Sequence, residues 1–294
     1  MVYPNAIRCY PESTQILIKK LHNRIESGKN ALIQVVGQTG SGKSYSSISL
    51  SLGLYLYREG KLPDVEEFMG KCTFTTKEFL YNLKDAELKK KQIYIWEEVG
   101  VSANNRNWQS QANKIMGYLT QTFRTLQHVI FITVPCSNFI DKSVRQLLHY
   151  NIETRRVNKK NKMCMARPLE IQYNNKMDKT YYHSLSFVTR EGVITVDEVA
   201  IPLAPKEFID AYEQKKSQYT KDKIDEWIEA IESSGKTKKK ALTPNQEKIL
   251  ELFNKGITSP TEISKKIGIP KSNVIQSFVY IKNKGYELNV KEKS

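Results

Sequence analysis

The sequence predicts an α/β fold in which a parallel sheet, covered by helices on both faces, is extended by antiparallel hairpins and followed by a small helical domain. Three observations predict it. Apolar strand-like runs alternate with helix-like segments through the first half of the chain. A glycine-rich loop joins the first of these runs to a helix. Period-two runs separated by turn residues follow, and capped helix-like segments end the chain.

The elements of the first domain can be placed in order. The expected helices are 12–26, 44–57, 75–83, 107–126, 138–149 and 206–231, and the expected strands are 31–36, 72–74, 92–96, 128–134 and 151–155. In the first helix, Ile18, Leu21 and Ile25 recur at helical spacing until Ser27 and Gly28 end the segment. Strands that alternate with helices in this way favour a parallel sheet.

The segment 163–203 has a different pattern. Its period-two runs, 169–173, 180–188 and 193–201, are separated by the turn residues Asn174-Asn175 and Glu191-Gly192, which predicts antiparallel hairpins. We therefore expect a large α/β domain over 1–232 with its core at 31–156, a flexible basic linker at 233–241 and a second domain at 242–294.

The composition is that of a basic globular protein. The chain has 294 residues, 39% of them hydrophobic, and a net charge of +15, which favours a polyanionic partner, although lysine-rich surfaces also serve solubility. The apolar stretches are shorter than the roughly 18 residues of a membrane span, so we expect a soluble, cytoplasmic protein with no membrane partner. Its cysteines, at Cys9, Cys72, Cys136 and Cys164, lack the spacing of a zinc site or a disulfide framework.

The glycine-rich loop fits the phosphate-loop pattern G-x-x-x-x-G-K-S/T. The residues expected to surround the nucleotide are Gly37, Gln38, Thr39, Gly40, Ser41, Gly42, Lys43, Ser44 and Tyr45. Glycines let the backbone wrap a phosphate, while backbone N–H groups and the helix N-terminus supply positive potential. Lys43 would reach the β- and γ-phosphates of ATP, and the Ser44 hydroxyl would bind Mg²⁺. The alternative is a flexible Gly/Ser loop.

Two adjacent carboxylates, Glu97 and Glu98, follow the apolar run 93–96. Residues at the end of a strand face the ligand crevice of an open α/β sheet. Glu97 would hold Mg²⁺, and Glu98 would polarise the attacking water as a base. Paired carboxylates after a strand also occur simply as the start of a solvated loop.

Three further residues are candidates for the same site. Thr133, near the end of the strand 128–134, could sense the γ-phosphate or the water, or be an ordinary hydrogen-bonded strand threonine. Arg106 and Arg124 could each complete the site of a neighbouring subunit, although most surface arginines have no such role. The loop 100–113 could instead contact DNA, because it combines Arg106 with Trp108 and several amides.

The C-terminal domain is expected to contain three helices. Thr243, Pro244 and Gln246 form a capping signal for the first of them. In the third helix, 271–284, the apolar residues expected to face the core are Val274, Ile275, Phe278 and Ile281. The side chains expected to point outward are suited to contact DNA phosphates and base edges, and they are Lys271, Ser272, Asn273, Gln276, Ser277 and Tyr280. Residues 285–290 would form a small wing. The alternative is a helical module that docks on protein.

Residues 31–156 contain the phosphate loop, the tandem glutamates, the expected helix that includes Arg124 and the final strand in this order. In this they resemble the ASCE division of RecA-like P-loop ATPases, and within it the FtsK/HerA-type DNA-pumping ATPases and small ATPases of archaeal viruses and plasmids. Residues 240–290 resemble winged helix-turn-helix domains. The resemblance implies a homo-oligomeric ring, often a hexamer, that uses ATP to move double-stranded DNA. Two positions depart from the family pattern: Thr133 stands where a Gln is usual, and Glu97 where the metal-binding Asp is usual.

The leading interpretation is a DNA-dependent ATPase that couples hydrolysis to DNA translocation or remodelling in the replication, packaging or partition of a mobile element. The alternative is a DNA-binding regulator or assembly scaffold for which ATP is a switch and turnover is incidental. A small-molecule kinase would have no need of the C-terminal domain or the basic linker.

Overall fold

The structure is a computed structural model that describes residues 2–85, 89–97, 126–140, 142–189, 192–235 and 242–284, together with Tyr286 and Leu288. Its contacts divide the chain into two compact units, Met1–Tyr219 and Thr220–Ser294. This division lies before the boundary near residue 232 that the sequence suggests, because it falls inside a long helix rather than after it. None of the described helices is long and apolar enough to cross a membrane.

Within the described residues, five parallel strands form the centre of the first unit. They are β1 (Ala31–Val36), β2 (Cys72–Thr73), β3 (Ile93–Trp96), β4 (Val129–Val134) and β5 (Tyr150–Asn158). Their order is β2-β3-β4-β1-β5, so β4 lies between β1 and β3. Because the strands run in the same direction, the segments that follow them meet at one edge of the sheet. This is a RecA-like P-loop arrangement, and the predicted α/β fold class is confirmed.

Helices cover both faces of this sheet. They are α1 (Glu12–Glu26), α2 (Lys43–Glu59), α3 (Val65–Gly70), α4 (Thr76–Asp85), α5 (Lys142–Arg145) and α6 (Lys206–Gly235), with 3₁₀ turns at Pro4–Ile7 and Ser137–Phe139. On β1, Ile33 and Val35 belong to the hydrophobic cluster beneath α1 and α2, while Leu32 and Val36 belong to the cluster beneath α4 and α5. This alternation follows from the period of two in a strand, and it buries β1 on both faces.

An antiparallel extension continues the sheet beyond β5. Its strands are β6 (Met163–Asn174), β7 (Lys179–Thr189), β8 (Gly192–Val196) and β9 (Val199–Pro202). The order continues β5-β6-β7-β8, and β9 pairs with the first residues of β6. The pairing of β5 with β6 shifts register between Thr154 and Arg156, beside the glycine-rich loop. The predicted antiparallel pairing of consecutive strands is confirmed for β6 with β7 and for β7 with β8. The single run expected over 193–201 is instead divided into β8 and β9, because β9 leaves β7 and pairs with β6.

The prediction of one continuous helix over 138–149 is wrong. The structure has a 3₁₀ turn at Ser137–Phe139 and the single short helix α5 in this stretch. Ile140, between them, is extended, and the backbone N–H of His149 already donates to Leu32 O in the sheet. Ile140, Val144 and Leu148 are nevertheless buried. Their spacing of four is therefore compatible with a short helix and turns as well as with a continuous helix.

The basic linker expected over 233–241 is also shorter than expected at its start. Helix α6 continues through Gly235, so residues 233–235 are helical. Serine lowers helix propensity only modestly, and glycine is common where a helix ends, so the sequence Ser-Ser-Gly can complete a helix as well as begin a linker. Residues 236–241 lie outside the described part of the chain, as does nearly all of the helix expected over 107–126.

The second unit contains a three-helix core formed by α7 (Pro244–Asn254), α8 (Pro260–Ile267) and α9 (Lys271–Asn283). Ile249, Ile263, Val274 and Ile281 are its fully buried side chains. The capping box that the sequence predicts at the start of α7 is present. Ile275, expected on the inner face of α9, is 48% exposed, because it follows the buried Val274 by one residue and so points away from the core.

Candidate nucleotide site

A glycine-rich loop joins β1 to α2, and its glycines have backbone angles that few other residues adopt. The φ angles of Gly37, Gly40 and Gly42 are +155°, +80° and +95°. At Gly37 space is limiting too, since a Cβ would lie 2.2 Å from Thr154 Oγ1 and 2.7 Å from Thr154 O. The path of the loop therefore requires glycine at Gly37 for both conformation and space.

Strands β5 and β6 hold one side of this loop. Thr154 Oγ1 donates to Val36 O at 3.0 Å, so the Ser41 hydroxyl, 2.6 Å away, donates to Thr154 Oγ1. Cys164 Sγ lies 3.2 Å from Ser41 O, and burial raises the pKa of this thiol, so it stays a neutral S–H donor. Sequence reasoning missed Thr154 and Cys164, because no local pattern identifies which residues of β5 and β6 contact the glycine-rich loop.

Lys43 lies over the loop at the start of α2. Its Nζ donates to Gly37 O at 2.8 Å and to Gln38 O at 3.0 Å. Helix α2 begins at this residue, so the lysine charge and the first backbone N–H groups of the helix lie together. Backbone N–H groups at a helix N-terminus and a lysine cation are the donors that proteins use to bind phosphate.

Glu97 brings Ser44 and Thr133 together. Ser44 Oγ donates to Glu97 Oε2 at 2.8 Å, and Thr133 Oγ1 donates to the same oxygen at 2.9 Å. Glu97 is fully buried directly after β3, where its N–H donates to Thr73 O at 2.8 Å. Burying a carboxylate is costly unless hydrogen bonds compensate, and these two hydroxyls supply some of them. The parallel pairing of β3 with β4 therefore places Thr133 at the same site as Glu97.

A cleft of about 410 Å³ opens beside Lys43, Ser44 and Glu97. Its opposite wall is part of α6, with Tyr212, Glu213 and Lys216. The cleft lies within the range of about 300–1,000 Å³ that is usual for small-molecule sites. The sequence did not identify this wall, because the position of α6 depends on how the chain returns after the hairpins.

Tyr45 joins the start of α2 to this wall. Its hydroxyl donates to Glu213 Oε1 at 2.8 Å. Burial, followed by the hydrogen bond to Glu213, raises the pKa of Tyr45 to about 12. Tyr45 is therefore a neutral hydrogen-bond donor at neutral pH, and its ring lies edge-on to the ring of Tyr212 with centroids 6.2 Å apart.

The donor atoms at this site suit Mg²⁺. Ser44 and Glu97 offer a hydroxyl and a carboxylate, and Mg²⁺ prefers oxygen ligands, often one or two protein groups combined with phosphates and water. Among the described residues, no group of three or more His, Cys, Asp or Glu side chains could hold a metal ion. The oxygen atoms of Ser44 and Glu97 therefore fit a metal that also takes ligands from phosphate and water.

Three of the residues predicted for catalysis lie outside the described part of the chain. They are Glu98, Arg106 and Arg124, and the loop 100–113 lies there too. Their roles as base, trans-acting arginine or DNA contact stay predictions.

The side chains predicted to contact DNA lie on α9 in the second unit. Lys271, Ser272, Asn273, Gln276 and Tyr280 are exposed, and Ser277 is half-buried. The opposite side of the helix carries the buried Val274 and Ile281. The exposed surface of α9 therefore combines these polar side chains, with Lys271 at the N-terminal end, and the apolar Ile275 and Val279. Of the wing expected over 285–290, only Tyr286 and Leu288 are described, and both pack against the three-helix core.

No protein-family model matches the chain, and no curated protein matches it. Among solved structures it is similar to a DNA polymerase III gamma subunit-related protein from Thermotoga maritima, with 15% identity, a TM-score of 0.34, and coverage of 49% of this chain and 47% of that one. The chain thus spans about half the length of that protein.

Two further solved structures are similar over most of their own length. The N-terminal domain of zonular occludens toxin from Neisseria meningitidis has 14% identity and a TM-score of 0.30, covering 53% of this chain and 95% of that one. A KaiC-like protein from Pyrococcus horikoshii has 9% identity and a TM-score of 0.28, covering 57% and 90%. Identities of 9–15% and TM-scores of 0.28–0.34 do not assign an activity to this chain.

Proposed function

We propose that this protein is an ATPase that binds ATP and Mg²⁺ between the glycine-rich loop and α6. The observation that carries the proposal is the convergence of Lys43, Ser44 and Glu97 at the edge of the sheet where parallel strands end. The loop N–H groups and Lys43 would bind the phosphates. Ser44 and Glu97 would hold Mg²⁺, which when bound neutralises charge on the phosphates.

Hydrolysis needs a group that orients water, and Glu98 is our candidate because it follows Glu97 directly after β3. Thr133, bonded to Glu97, would help to fix the metal-binding carboxylate. Arg106 or Arg124 would supply positive charge to the site of a neighbouring subunit in a homo-oligomer, with a hexameric ring as the expected form.

Replacing Lys43 by Ala tests the nucleotide site. The variant keeps the loop N–H groups but loses the cation, so ATP affinity should fall by about 10- to 100-fold, the usual worth of a hydrogen bond to a charged group. Lys61→Ala, at an exposed position just beyond α2, is the matched control and should bind ATP normally. Unchanged ATP binding and hydrolysis by a pure, folded Lys43→Ala preparation would refute the assignment.

We further propose that the ATPase acts on double-stranded DNA through the second unit, which would be a winged helix-turn-helix domain. Support comes from the net charge of +15 and from the exposed polar side of α9. Coupling of hydrolysis to DNA translocation or remodelling would suit the replication, packaging or partition of a mobile element. Particle size, measured with and without ATP and DNA alongside ATP turnover, tests assembly and DNA dependence together.

The alternative is an ATP-switched DNA-binding regulator or scaffold. The specific observation behind it is Thr133, which stands where the FtsK/HerA-type ATPases that the sequence resembles usually have a Gln. DNA-stimulated turnover with movement along the duplex supports the translocase. Slow hydrolysis combined with ATP-dependent DNA occupancy supports the switch.

A further inference from the structure

A second, smaller cleft lies beside the glycine-rich loop. It has a volume of about 220 Å³ and is formed by the start of α2, the turn between β5 and β6, and the chain from the end of β9 toward α6. Its lining is mostly apolar, with Val157, Met163, Ile201 and Leu203 among the residues. Two of these side chains reach the solvent: Val157 is 43% exposed and Leu203 is 40% exposed.

The two clefts share three lining residues, Gly42, Tyr45 and Val157. At Gly42 the loop lies directly against the hairpin, since a Cβ there would be 3.1 Å from Cys164 Sγ and 3.3 Å from Val157 Cγ2. The smaller cleft therefore adjoins the larger one beside the glycine-rich loop, within reach of a ligand whose phosphates contact the loop N–H groups.

The larger cleft carries charged and polar groups, whereas the smaller cleft is mostly apolar, and a nucleotide likewise has a charged phosphate end and a flat base. The larger one carries Lys43, Ser44 and Glu97, the groups suited to phosphates and metal. The smaller one has no carboxylate among its described lining residues, and its cations are Lys159 and Lys162 at exposed positions. It is smaller than a whole drug-sized site of about 300–1,000 Å³, so it suits one flat ring system rather than a complete ligand.

We propose that this smaller cleft binds the base of the nucleotide, and that it does so mainly through contact with apolar side chains. The inference rests on the proposed nucleotide site and adds where the base lies and how it is recognised. The base would cover Val157 and Leu203, which removes apolar surface from water. Lys159 or Lys162 could lie over the ring face, where a cation is attracted by the π-system.

Recognition by contact has a consequence for specificity. A site that forms hydrogen bonds to a particular group of its ligand discriminates against analogues that lack this group by a factor of about 10⁴–10⁵. An apolar pocket discriminates between similar ligands by only about 10- to 200-fold. We therefore expect ATP and GTP to bind with affinities within about 100-fold of each other. A larger preference for either one would overturn recognition by contact.

The decisive experiment compares ATP with inorganic tripolyphosphate, each with Mg²⁺, on the full chain. Met163→Gln and Leu203→Asn place uncharged polar groups at positions that line only the smaller cleft, and Val193→Asn, at a strand valine that is 67% exposed on β8, is the matched control. Both cleft variants should bind ATP about 10-fold more weakly and tripolyphosphate as the wild type does, because only ATP carries a base. The control should bind both probes normally.

The other outcomes each decide a point. If the wild type binds neither probe, the proposed nucleotide site and this inference both fail. If the wild type binds both and neither cleft variant weakens ATP selectively, the nucleotide site stands and the base lies elsewhere. Photolabelling with 8-azido-ATP gives an independent location: label on residues 157–164 or 201–203 supports the cleft, and label on Tyr212 or Glu213 of α6 overturns it.

Discussion

Ser44 and Glu97 are 53 positions apart in the chain, and a hydrogen bond of 2.8 Å joins the Ser44 hydroxyl to the Glu97 carboxylate. The bond connects the first turn of α2 to the end of β3. Because Glu97 is fully buried and also accepts from Thr133, its carboxylate is held in place by the fold itself. Groups fixed in this way need little reorganisation when a ligand binds, which is a property of efficient sites.

The two glutamates should respond differently to the same substitution. Glu97→Gln replaces a carboxylate oxygen that contacts Ser44, so nucleotide binding should require a higher Mg²⁺ concentration. Glu98→Gln should leave binding of MgATP nearly intact and lower turnover by about 10²–10⁴, the usual worth of a positioned base. Titration of Mg²⁺ in an ATP-binding assay, with turnover measured separately, distinguishes the two.

Glu59→Gln, an exposed glutamate at the end of α2, is the control and should match the wild type in both assays. The roles assigned here are reversed if Glu97→Gln loses only turnover while Glu98→Gln loses its Mg²⁺ dependence. Loss of folding in Glu97→Gln alone would instead indicate that the carboxylate is needed chiefly for the buried hydrogen bonds from Ser44 and Thr133.

Gly37→Ala should disrupt the loop more than Gly40→Ala, although both glycines have positive φ. The added Cβ at Gly37 meets Thr154 O at 2.7 Å, and backbone cannot easily move, whereas nothing lies within 4 Å of a Cβ at Gly40. We expect about 2 kcal/mol or more of lost stability for Gly37→Ala and about 1 kcal/mol for Gly40→Ala. Chemical denaturation measures both, and equal losses would contradict the close approach of Thr154.

Parts of the site that depend on local sequence could be predicted. Lys43 and Ser44 belong to one loop, and Glu97 follows a short apolar strand, so a pattern a few residues long was enough to find them. Thr154, Tyr212 and Glu213 reach the same site through tertiary packing. Thr154 contacts Ser41 from 113 positions away, and Glu213 contacts Tyr45 from 168. No local pattern specifies such pairs.

The fold shows the same division. Strands buried on both faces, such as β1 and β4, were predicted from continuous apolar runs, and their parallel order followed from the intervening helices. The helix expected over 138–149 failed because the sheet ends it: His149 joins Leu32 through both its backbone N–H and its ring. Tertiary pairing there overrides the helical spacing of the apolar residues.

The buried His128 and the half-buried His149 should make the protein less stable in mild acid. His128 Nδ1 accepts from Gln92 N at 3.1 Å, and burial lowers the pKa of His128 to about 4, against about 6.5 in an unfolded chain. His149 Nδ1 accepts from Leu32 N at 3.0 Å, and its pKa is lowered to about 3, again chiefly by burial. At a pH between the lowered pKa of each folded-state histidine and about 6.5, the unfolded state binds more protons than the folded state. The free energy of unfolding therefore falls as the pH decreases through this range.

The decrease in the free energy of unfolding that is due to His128 should be nearly complete at about pH 4 and amount to about 3 kcal/mol. His128→Asn keeps an acceptor near the Nδ1 position but does not titrate, so its stability should depend less on pH between 6.5 and 4. His183→Asn, at an exposed position on β7, is the control and should follow the wild type. Urea denaturation at several pH values provides the measurement, and parallel curves for His128→Asn and wild type would contradict the prediction.

Substitutions on α9 should separate general DNA affinity from sequence recognition. Lys271 lies at the exposed N-terminal end of the helix, so Lys271→Ala should weaken binding to every duplex and reduce the salt-dependence slope by about one, as for a single phosphate contact. Asn273→Ala and Gln276→Ala should instead reduce the discrimination between a preferred and a random duplex by about 1–3 kcal/mol, because these amides would contact base edges.

Lys248 is an exposed lysine on α7, so Lys248→Ala is the matched control for the loss of charge alone. Binding of both duplexes across a salt series measures all four variants. If Lys271→Ala and Lys248→Ala have equal effects and neither amide changes discrimination, α9 is not the recognition helix, and the DNA contact would have to be sought on the first unit, in the loop 100–113 or the basic turn 158–162.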